Sequence, residues 1–283
     1  MTLAKYIRPV CLSAVTLALC LNHPTLAQTA DPAARKIDEF GDALPTDAAA
    51  RLDNLAVALQ GEPNARGFLI AYRSHRDLPG LSGRRVNWMR NYLIHNRGVD
   101  AGRVVAVDGG GASCLWHEFW IVPPGAAPKP RGDAYPRESG DADLAQKYDA
   151  YYFSIPEDDL VSFSAEYENG LEGFAGELRR RPRALAYVIV YEERRVETWE
   201  EEGEGGRKRT RRRVIVDPRG TARRELGDIR AGLVKNYGIA ARRVKLVSGG
   251  YRKWREVELW VVPGGARPPV PTPNVYPPRS GNR

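Results

Sequence analysis

The chain has 283 residues, of which 42% are hydrophobic and 28% are charged, a composition typical of a folded globular protein rather than a disordered tail. Lys and Arg outnumber Asp and Glu, 43 against 35, which makes the protein basic. Three cysteines cannot form a disulfide scaffold, and downstream of the N-terminal segment no apolar run is long enough to cross a bilayer. The composition therefore excludes an integral membrane protein for the mature chain.

The N-terminal segment 1–27 predicts a secretory signal peptide. Lys5 and Arg8 precede an apolar stretch, and Thr25-Leu26-Ala27 places small residues at a cleavage site. The alternative is an uncleaved anchor helix, but the apolar stretch is shorter than the roughly 20 residues that span a bilayer. We therefore expect an exported protein, periplasmic or extracellular, with no transmembrane segment in its mature chain.

The first half of the chain predicts the element order β-α-β-α-β-β. Thr46 or Asp47 is expected to cap the first helix, and Ser82 the second. Consecutive β-α-β steps imply parallel pairing, so we predict an α+β fold with the helices packed on one face of a small mixed sheet. The predicted elements are a strand at 36–40, a helix from Pro45, a strand at 67–72, a helix from Ser82, and strands at 103–107 and 115–122.

The same unit occurs twice in the chain. A shift of 140 aligns 90–128 with 230–268 without a gap, and 17 of the 39 positions are identical. Upstream the matching shift is 119, so the second copy carries an insertion of 21 residues. The predicted organisation is domain 1 at 28–136, a polar linker at 137–150, domain 2 at 151–266 and a Pro-rich tail at 267–283.

The insertion predicts a charged β-hairpin at about 193–214. Folding it about its glycines places each acid opposite a base; the predicted pairs are Glu202 with Arg207, Glu201 with Lys208, Glu200 with Arg209 and Glu197 with Arg212. A disordered charged loop is the alternative. A basic stretch alone would suggest nucleic acid or a membrane surface, but complementary pairing neutralises much of it, so we expect no nucleic-acid partner.

One stretch is similar to a known family. Leu81-Ser82-Gly83-Arg84-Arg85-Val86, followed by Asn91-Tyr92-Leu93 and Gly98, resembles the C-terminal domain family of outer membrane protein A, the OmpA-like peptidoglycan-associated domains. In that family a Leu-Ser-x-x-Arg-Ala stretch opens the second helix. The resemblance implies two tandem β-α-β-α-β-β sandwiches of OmpA-like fold.

The resemblance also implies a ligand site. In the family, an Asp after the second strand and an Arg early in the second helix hold the diaminopimelate of peptidoglycan. The Arg position is Arg85; the Asp position is Ser74, and Asp77 lies near enough to substitute. In the second copy Glu225 stands where the Arg should be, so we expect any stem-peptide ligand to bind the first copy, at Arg85, Ser74 and Asp77.

Neither copy has residues arranged for catalysis or for a cofactor. The histidines have no metal-ligand spacing, and no nucleophile-base pair is evident. Cys114 is expected to be a buried thiol and His117 a partly buried structural histidine. Trp120 and Trp260 either form a ligand platform or pack against the Pro-rich segments or the other domain. We therefore expect a non-enzymatic cell-envelope binding protein, without metal or cofactor, that contacts peptidoglycan weakly through the first copy. The alternative is a secreted or periplasmic protein-protein interaction scaffold with an envelope protein as its partner.

Overall fold

The computed structural model describes residues 33–134, 143–152, 163–203 and 207–275. The predicted signal peptide at 1–27, the first part of the predicted linker and the end of the Pro-rich tail lie outside the described residues. Within them, no helix is long and apolar enough to cross a membrane.

The first half is a four-stranded mixed sheet with two helices. Its elements are β1 Arg35–Phe40, α1 Pro45–Gly61, β2 Arg66–Ser74, α2 Leu81–Asn91, which continues into a π-helical turn at Tyr92–Asn96, β3 Val104–Ala112 and β4 Trp116–Val122. The strand order is β1-β4-β2-β3. Because β4 is antiparallel to β1 and β2 while β2 is parallel to β3, the strands β1, β2 and β3 all end at the same edge of the sheet.

The second half repeats this plan and is extended by one strand. Its elements are β5 Gln146–Tyr152, α3 Phe163–Arg180, β6 Leu185–Gly203, β7 Arg207–Val216, α4 Thr221–Ala231, which continues into a π-helical turn at Gly232–Asn236, β8 Val244–Arg252 and β9 Glu256–Val262. β9 lies between β5 and β6, and β6 is parallel to β8. The fold is α+β, as predicted.

The linker prediction at 137–150 needs correction. Residues from Gln146 onward form β5, the edge strand of the second sheet. The stretch is polar in sequence, but Tyr148 and Tyr151 pack into the second hydrophobic core and Asp149 is fully buried. A strand that places a charged residue in the interior does not show the alternation by which strands are recognised.

The cores lie between the helices and one face of each sheet. Alternate residues of the last strands face the helices, Phe119 and Ile121 in β4 and Leu259 and Val261 in β9. Helical spacing in the sequence predicts an inner face for each second helix, and all six side chains are buried: Val86, Met89 and Leu93 in the first half, and Leu226, Ile229 and Leu233 in the second. Burying each such side chain stabilises the fold by about 1.5–3 kcal/mol.

The helix starts differ from the predicted caps. α1 begins at Pro45, whose fixed φ suits the first helical position. It has no side-chain cap, because the capping position is Leu44 and the predicted caps, Thr46 and Asp47, lie inside the first turn. α2 also has no side-chain cap. The Ser82 hydroxyl instead donates to Asp108 Oδ1 at 2.6 Å, which ties the start of α2 to β3.

The Pro-rich segments are packed against the sheets. We call 123–134 the first strap and 263–275 the second strap. Ala126 and Ala134 of the first strap pack with the aromatic cluster on the sheet face opposite the helices. In the second strap, the Thr272 N–H donates to the Tyr191 hydroxyl at 3.1 Å. Each strap therefore covers the outer face of its own sheet, and Trp120, on that face, is nearly fully buried.

Candidate functional site

The turn at the end of β2 contains two of the three predicted site residues, Ser74 and Asp77, and hydrogen bonds between these two residues close it. The Ser74 N–H donates to Asp77 Oδ2 at 2.7 Å, and the Asp77 N–H donates to the Ser74 carbonyl at 3.0 Å. The Arg76 N–H donates to Ser74 Oγ at 3.2 Å. The Asp77 carboxylate thus holds the backbone of the turn. The sequence analysis had instead offered Asp77 as a residue that binds a ligand.

The same turn exists in the second half, with the insertion inside it. The Glu193 N–H donates to Asp217 Oδ2 at 2.7 Å, and the Asp217 N–H donates to the Glu193 carbonyl at 3.0 Å. Asp217 is therefore the counterpart of Asp77. Residues 194–216 replace the dipeptide His75-Arg76, and the turn that they interrupt still closes at their base.

The inserted residues form the predicted antiparallel ribbon, β6–β7, but its register differs by one residue. Glu202 lies opposite Lys208, and Glu201 opposite Arg209. The prediction assumed a four-residue turn over Gly203–Gly206, whereas Gly203 still pairs with Arg207, so three residues connect the strands. A change of one residue in turn length shifts every cross-strand pair.

Arg85, the third predicted residue, lies one turn into α2 beside an acid that the sequence did not indicate. Its Nη2 is 3.9 Å from Asp42 Oδ1. Asp42 follows β1, and Ser74 ends β2, so all of these residues belong to the edge where β1, β2 and β3 end. The Asp42 side chain is 78% exposed and that of Arg85 24% exposed, so a cation and an anion stand side by side at an accessible edge.

A neutral histidine lies beneath this pair. His117 is almost fully buried, its Nδ1 is 3.1 Å from the Gly41 carbonyl, and its ring stacks on Phe40 at 4.7 Å. Burial, and then the positive charge of Arg85, lower the pKa of His117 to about 4. The structural role predicted for His117 is confirmed, with deeper burial than expected.

The lowered pKa of His117 makes stability depend on pH. Since the unfolded chain takes up the proton near pH 6.5 and the folded protein only near pH 4, stability falls as the pH drops through this window. Urea unfolding at pH 7 and at pH 4.5 should show an excess loss of about 2 kcal/mol in the wild type. His117→Val, which copies Val257 of the second half, should lack this excess; an equal pH dependence in both proteins would contradict it.

The equivalent edge of the second half is filled by its own charges. The Arg255 guanidinium binds Asp217, with Nε 2.8 Å from Oδ2. Glu192 Oε1 accepts the Ala222 N–H at the start of α4 at 3.1 Å. Burial raises the pKa of Glu225, the residue in the place of Arg85, although the Arg255 charge opposes the shift. A carboxylate of the protein already occupies the helix start, so an anionic ligand is disfavoured there.

A buried carboxylate recurs on the outer face of each sheet. Glu118 is fully buried; its carboxylate accepts from Lys36 Nζ at 2.9 Å and from Tyr72 Oη and Trp120 Nε1 at 3.2 Å. Burial, followed by the charge of Glu118, raises the pKa of Tyr72 to about 12. The tyrosine therefore stays protonated and keeps donating.

The second copy of this network has one more cation. Glu258 accepts from Lys147 Nζ at 2.6 Å, Trp260 Nε1 at 2.9 Å, Arg252 Nη1 at 3.1 Å and Tyr191 Oη at 3.4 Å. Arg252 also lies 3.5 Å above the Tyr191 ring. These donors fix β5, β6, β8 and β9 to one carboxylate. The sequence signal for the network was that its Glu, Trp and Tyr recur in both copies at the shifts that align the two copies.

The two halves are joined by a polar contact between α2 and the start of the second half. Arg84 Nε is 3.0 Å from Asp149 Oδ2, and both side chains are buried. The Gly80 N–H donates to the Tyr148 carbonyl at 2.8 Å. A Cβ at Gly80 would lie 2.6 Å from the Tyr148 ring, so glycine is required for this close approach.

A hollow of about 560 Å³ lies where α1, α2 and α3 meet, with Trp88, Tyr92 and Asn169 among its lining residues. Arg85, Ser74 and Asp77 do not line it. Cys114 lies in the loop that connects β3 to β4 across the end of β2 and is exposed, which corrects the expected buried thiol: the loop lies outside the sheet and its core. Within the described ranges, no group of His, Cys, Asp and Glu could hold a metal ion.

The chain was compared with protein-family models, with curated proteins and with solved structures. None of the three comparisons found a match. We therefore base the functional proposal on the contacts described above.

Proposed function

We propose that the protein is an exported, non-catalytic binding protein of the cell envelope, with an OmpA-like arrangement in both halves. Its first half holds the stem peptide of peptidoglycan between Arg85 and Asp42. The observation that carries this proposal is the accessible pair of opposite charges at the edge of the first sheet, with Arg85 Nη2 and Asp42 Oδ1 3.9 Å apart. Asp42 takes the part that the resemblance implied for Ser74 or Asp77.

The pair suits a ligand that carries both charges. Guanidinium groups bind carboxylates in a bidentate manner, and a carboxylate binds an ammonium group. A diaminopimelate side chain offers both groups on one carbon, so it can replace the contact between Arg85 and Asp42 with two complementary ones. An exposed ion pair contributes at most about 1 kcal/mol, so separating the two side chains costs little.

The second half supports the assignment by contrast. Glu225 takes the place of Arg85, and Arg255 is engaged with Asp217. This edge offers an excess of acids to a ligand, so binding is confined to the first half.

Co-sedimentation with purified peptidoglycan sacculi tests the proposal. Arg85→Ala and Asp42→Ala should each weaken binding roughly tenfold to hundredfold, because each removes a charge-assisted contact. Glu225→Ala is the matched control and should bind like the wild type. Equal binding by all four proteins, or none by any, would reject the peptidoglycan proposal. Loss with Arg85→Ala alone would reject the zwitterionic ligand, because an anion needs only the cation.

The scaffold alternative rests on the ribbon. The straps are engaged with their own sheets, whereas the ribbon exposes Val196, Trp199 and Val214. Cross-linking in envelope extracts distinguishes the two functions, because a scaffold would lose its partners when 194–216 is replaced by His-Arg, the dipeptide of the first half.

A further inference from the structure

One strand of the ribbon has the densest run of basic residues in the chain: six of the seven residues 207–213 are Lys or Arg. Residues 194–216 contain eight basic and five acidic side chains. We propose that one face of this ribbon binds the phosphate groups of an anionic phospholipid surface. We call that face the tryptophan face and define it by Trp199, Arg209, Arg211 and Arg213.

Alternation along the strands separates the two faces of the ribbon. Residues that point to one side of a strand lie two apart, and Trp199 lies directly opposite Arg211. Arg209 and Arg213 flank Arg211 on the same side of β7. The opposite face carries Lys208 and Arg212 with Thr198 and Thr210, and its exposed apolar groups are the valines at the base of the ribbon.

The described acids of the tryptophan face, Glu197 and Glu201, bind arginines other than Arg209 and Arg213. Glu201 binds Arg211 at 2.5 Å, and Glu197 binds Arg195. Within the described part of the chain, Arg209 and Arg213 form no ion pair, and both are exposed. The register places Arg209 opposite Glu201 and Arg213 opposite Glu197. Because these two acids bind Arg211 and Arg195 instead, the neutralisation expected from sequence is incomplete.

Arginine and tryptophan together match the chemistry of a lipid headgroup layer. The guanidinium fork binds phosphate oxygens in a bidentate manner, and basic residues near an anionic surface each strengthen attachment. Indole rings favour the headgroup level of a bilayer, and Trp199 is 47% exposed. An aromatic ring beside the arginines, on a protein predicted to be exported, favours a lipid surface over nucleic acid.

The base of the ribbon is fixed, so the tryptophan face has a defined direction. Arg195 binds Glu193 at 2.5 Å and lies 4.6 Å above the Trp254 ring. The turn formed by Glu193 and Asp217 closes below it. A rigid support lowers the entropy lost when an exposed element binds a surface.

Vesicle co-sedimentation at low salt tests the inference. The wild type should bind vesicles of phosphatidylcholine mixed with phosphatidylglycerol and should not bind vesicles of phosphatidylcholine alone. The double variant Arg209→Glu/Arg213→Glu should lose at least about tenfold in binding, and Trp199→Ala should also weaken it. The matched control is Lys208→Glu/Arg212→Glu, which changes the net charge equally on the opposite face and should lose less than about threefold.

Several outcomes would overturn the inference. Equal losses in the two double variants would show that no face is selected, and equal binding to both kinds of vesicle would remove the anionic requirement. Tighter binding to duplex DNA than to the anionic vesicles, with the same dependence on Arg209 and Arg213, would make nucleic acid the partner. If the double variants fail to fold by circular dichroism, the His-Arg replacement of 194–216 should abolish vesicle binding. Arg85→Ala should bind vesicles normally, so this result is independent of the peptidoglycan proposal.

Discussion

Replacing Asp149 with alanine should lower the free energy of unfolding by about 3–5 kcal/mol. Asp149 accepts from Arg84 Nε at 3.0 Å and from Arg84 Nη2 at 3.4 Å, and both residues are buried between the two halves. Without the carboxylate, the buried guanidinium of Arg84 loses its charge-assisted contacts with Asp149, and breaking a buried pair costs far more than an exposed pair contributes. Since the pair joins α2 to β5, the loss should also reduce the cooperativity with which the two halves unfold.

Chemical denaturation followed by circular dichroism measures this effect. The control is Glu172→Ala, which removes an ion pair of 3.2 Å between Arg90 of α2 and Glu172 of α3, with both side chains about one third exposed. It also joins the two halves but should cost less than about 1 kcal/mol. The double variant Arg84→Met/Asp149→Leu should recover much of the stability, because it buries no lone charge. A small loss in Asp149→Ala, comparable to that of the control, would show that the pair is not what joins the halves.

Local pattern was enough to predict the elements of the first half, whereas β5 of the second half was assigned to a linker. Helical spacing identified Val86, Met89 and Leu93 as an inner face, and the 140-residue shift transferred that face to the second half. In β9, the alternation of Val257, Leu259 and Val261 with Glu258 and Trp260 predicts which side faces the helices, and the three aliphatic residues lie in the core. These features depend on contacts between neighbours in sequence, so one window of residues contains the signal.

Contacts between distant residues were not predictable in the same way. Asp149 lies in a stretch that was assigned to a linker, and Asp42 lies in a loop without any motif. Nothing near either residue in sequence indicates its arginine partner, so neither contact was predicted. The ribbon was predicted from the insertion in the second copy, but its strand register was not. The register depends on whether three or four residues connect the strands, which the sequence does not indicate. Arg85 lies in α2, and the acid beside it, Asp42, comes from a different loop from the one that the resemblance implied.

The duplicated outer-face network was visible in the sequence only as repeated residues. Glu118 and Glu258, with a tyrosine and a tryptophan each, recur at matching offsets. A Cβ at Gly109 would lie 2.5 Å from the Tyr72 ring, and one at Gly249 the same distance from the Tyr191 ring, which explains why these glycines recur too. Identity at aligned positions marks such residues as structurally required, but their joint role appears only when the strands are side by side.

Replacing Glu258 with glutamine should lower the free energy of unfolding at neutral pH by about 3 kcal/mol. The carboxylate accepts from four donors, and an amide can neither accept as many hydrogen bonds nor balance the charges of Lys147 and Arg252. Because Arg252 also donates to the Thr272 carbonyl at 3.2 Å, release of the second strap should accompany the loss, seen as faster proteolysis after residue 263.

The pH dependence of the Glu258→Gln variant separates loss of charge from loss of shape. Burial alone would raise the pKa of Glu258, but hydrogen bonds from Lys147 and Trp260, with the charges of Lys147 and Arg252, outweigh it and lower the pKa below 4.5. A group with a lowered folded pKa stabilises the protein above its unfolded pKa and loses that contribution as the pH falls through the folded value. The stability difference between wild type and Glu258→Gln should therefore shrink as the pH drops below 4.5.

Glu201→Gln, which alters an exposed pair with Arg211, should cost less than about 1 kcal/mol at any pH. A difference for Glu258→Gln that stayed constant into acid would assign the effect to packing, because only the ionised carboxylate can lose its partners by protonation.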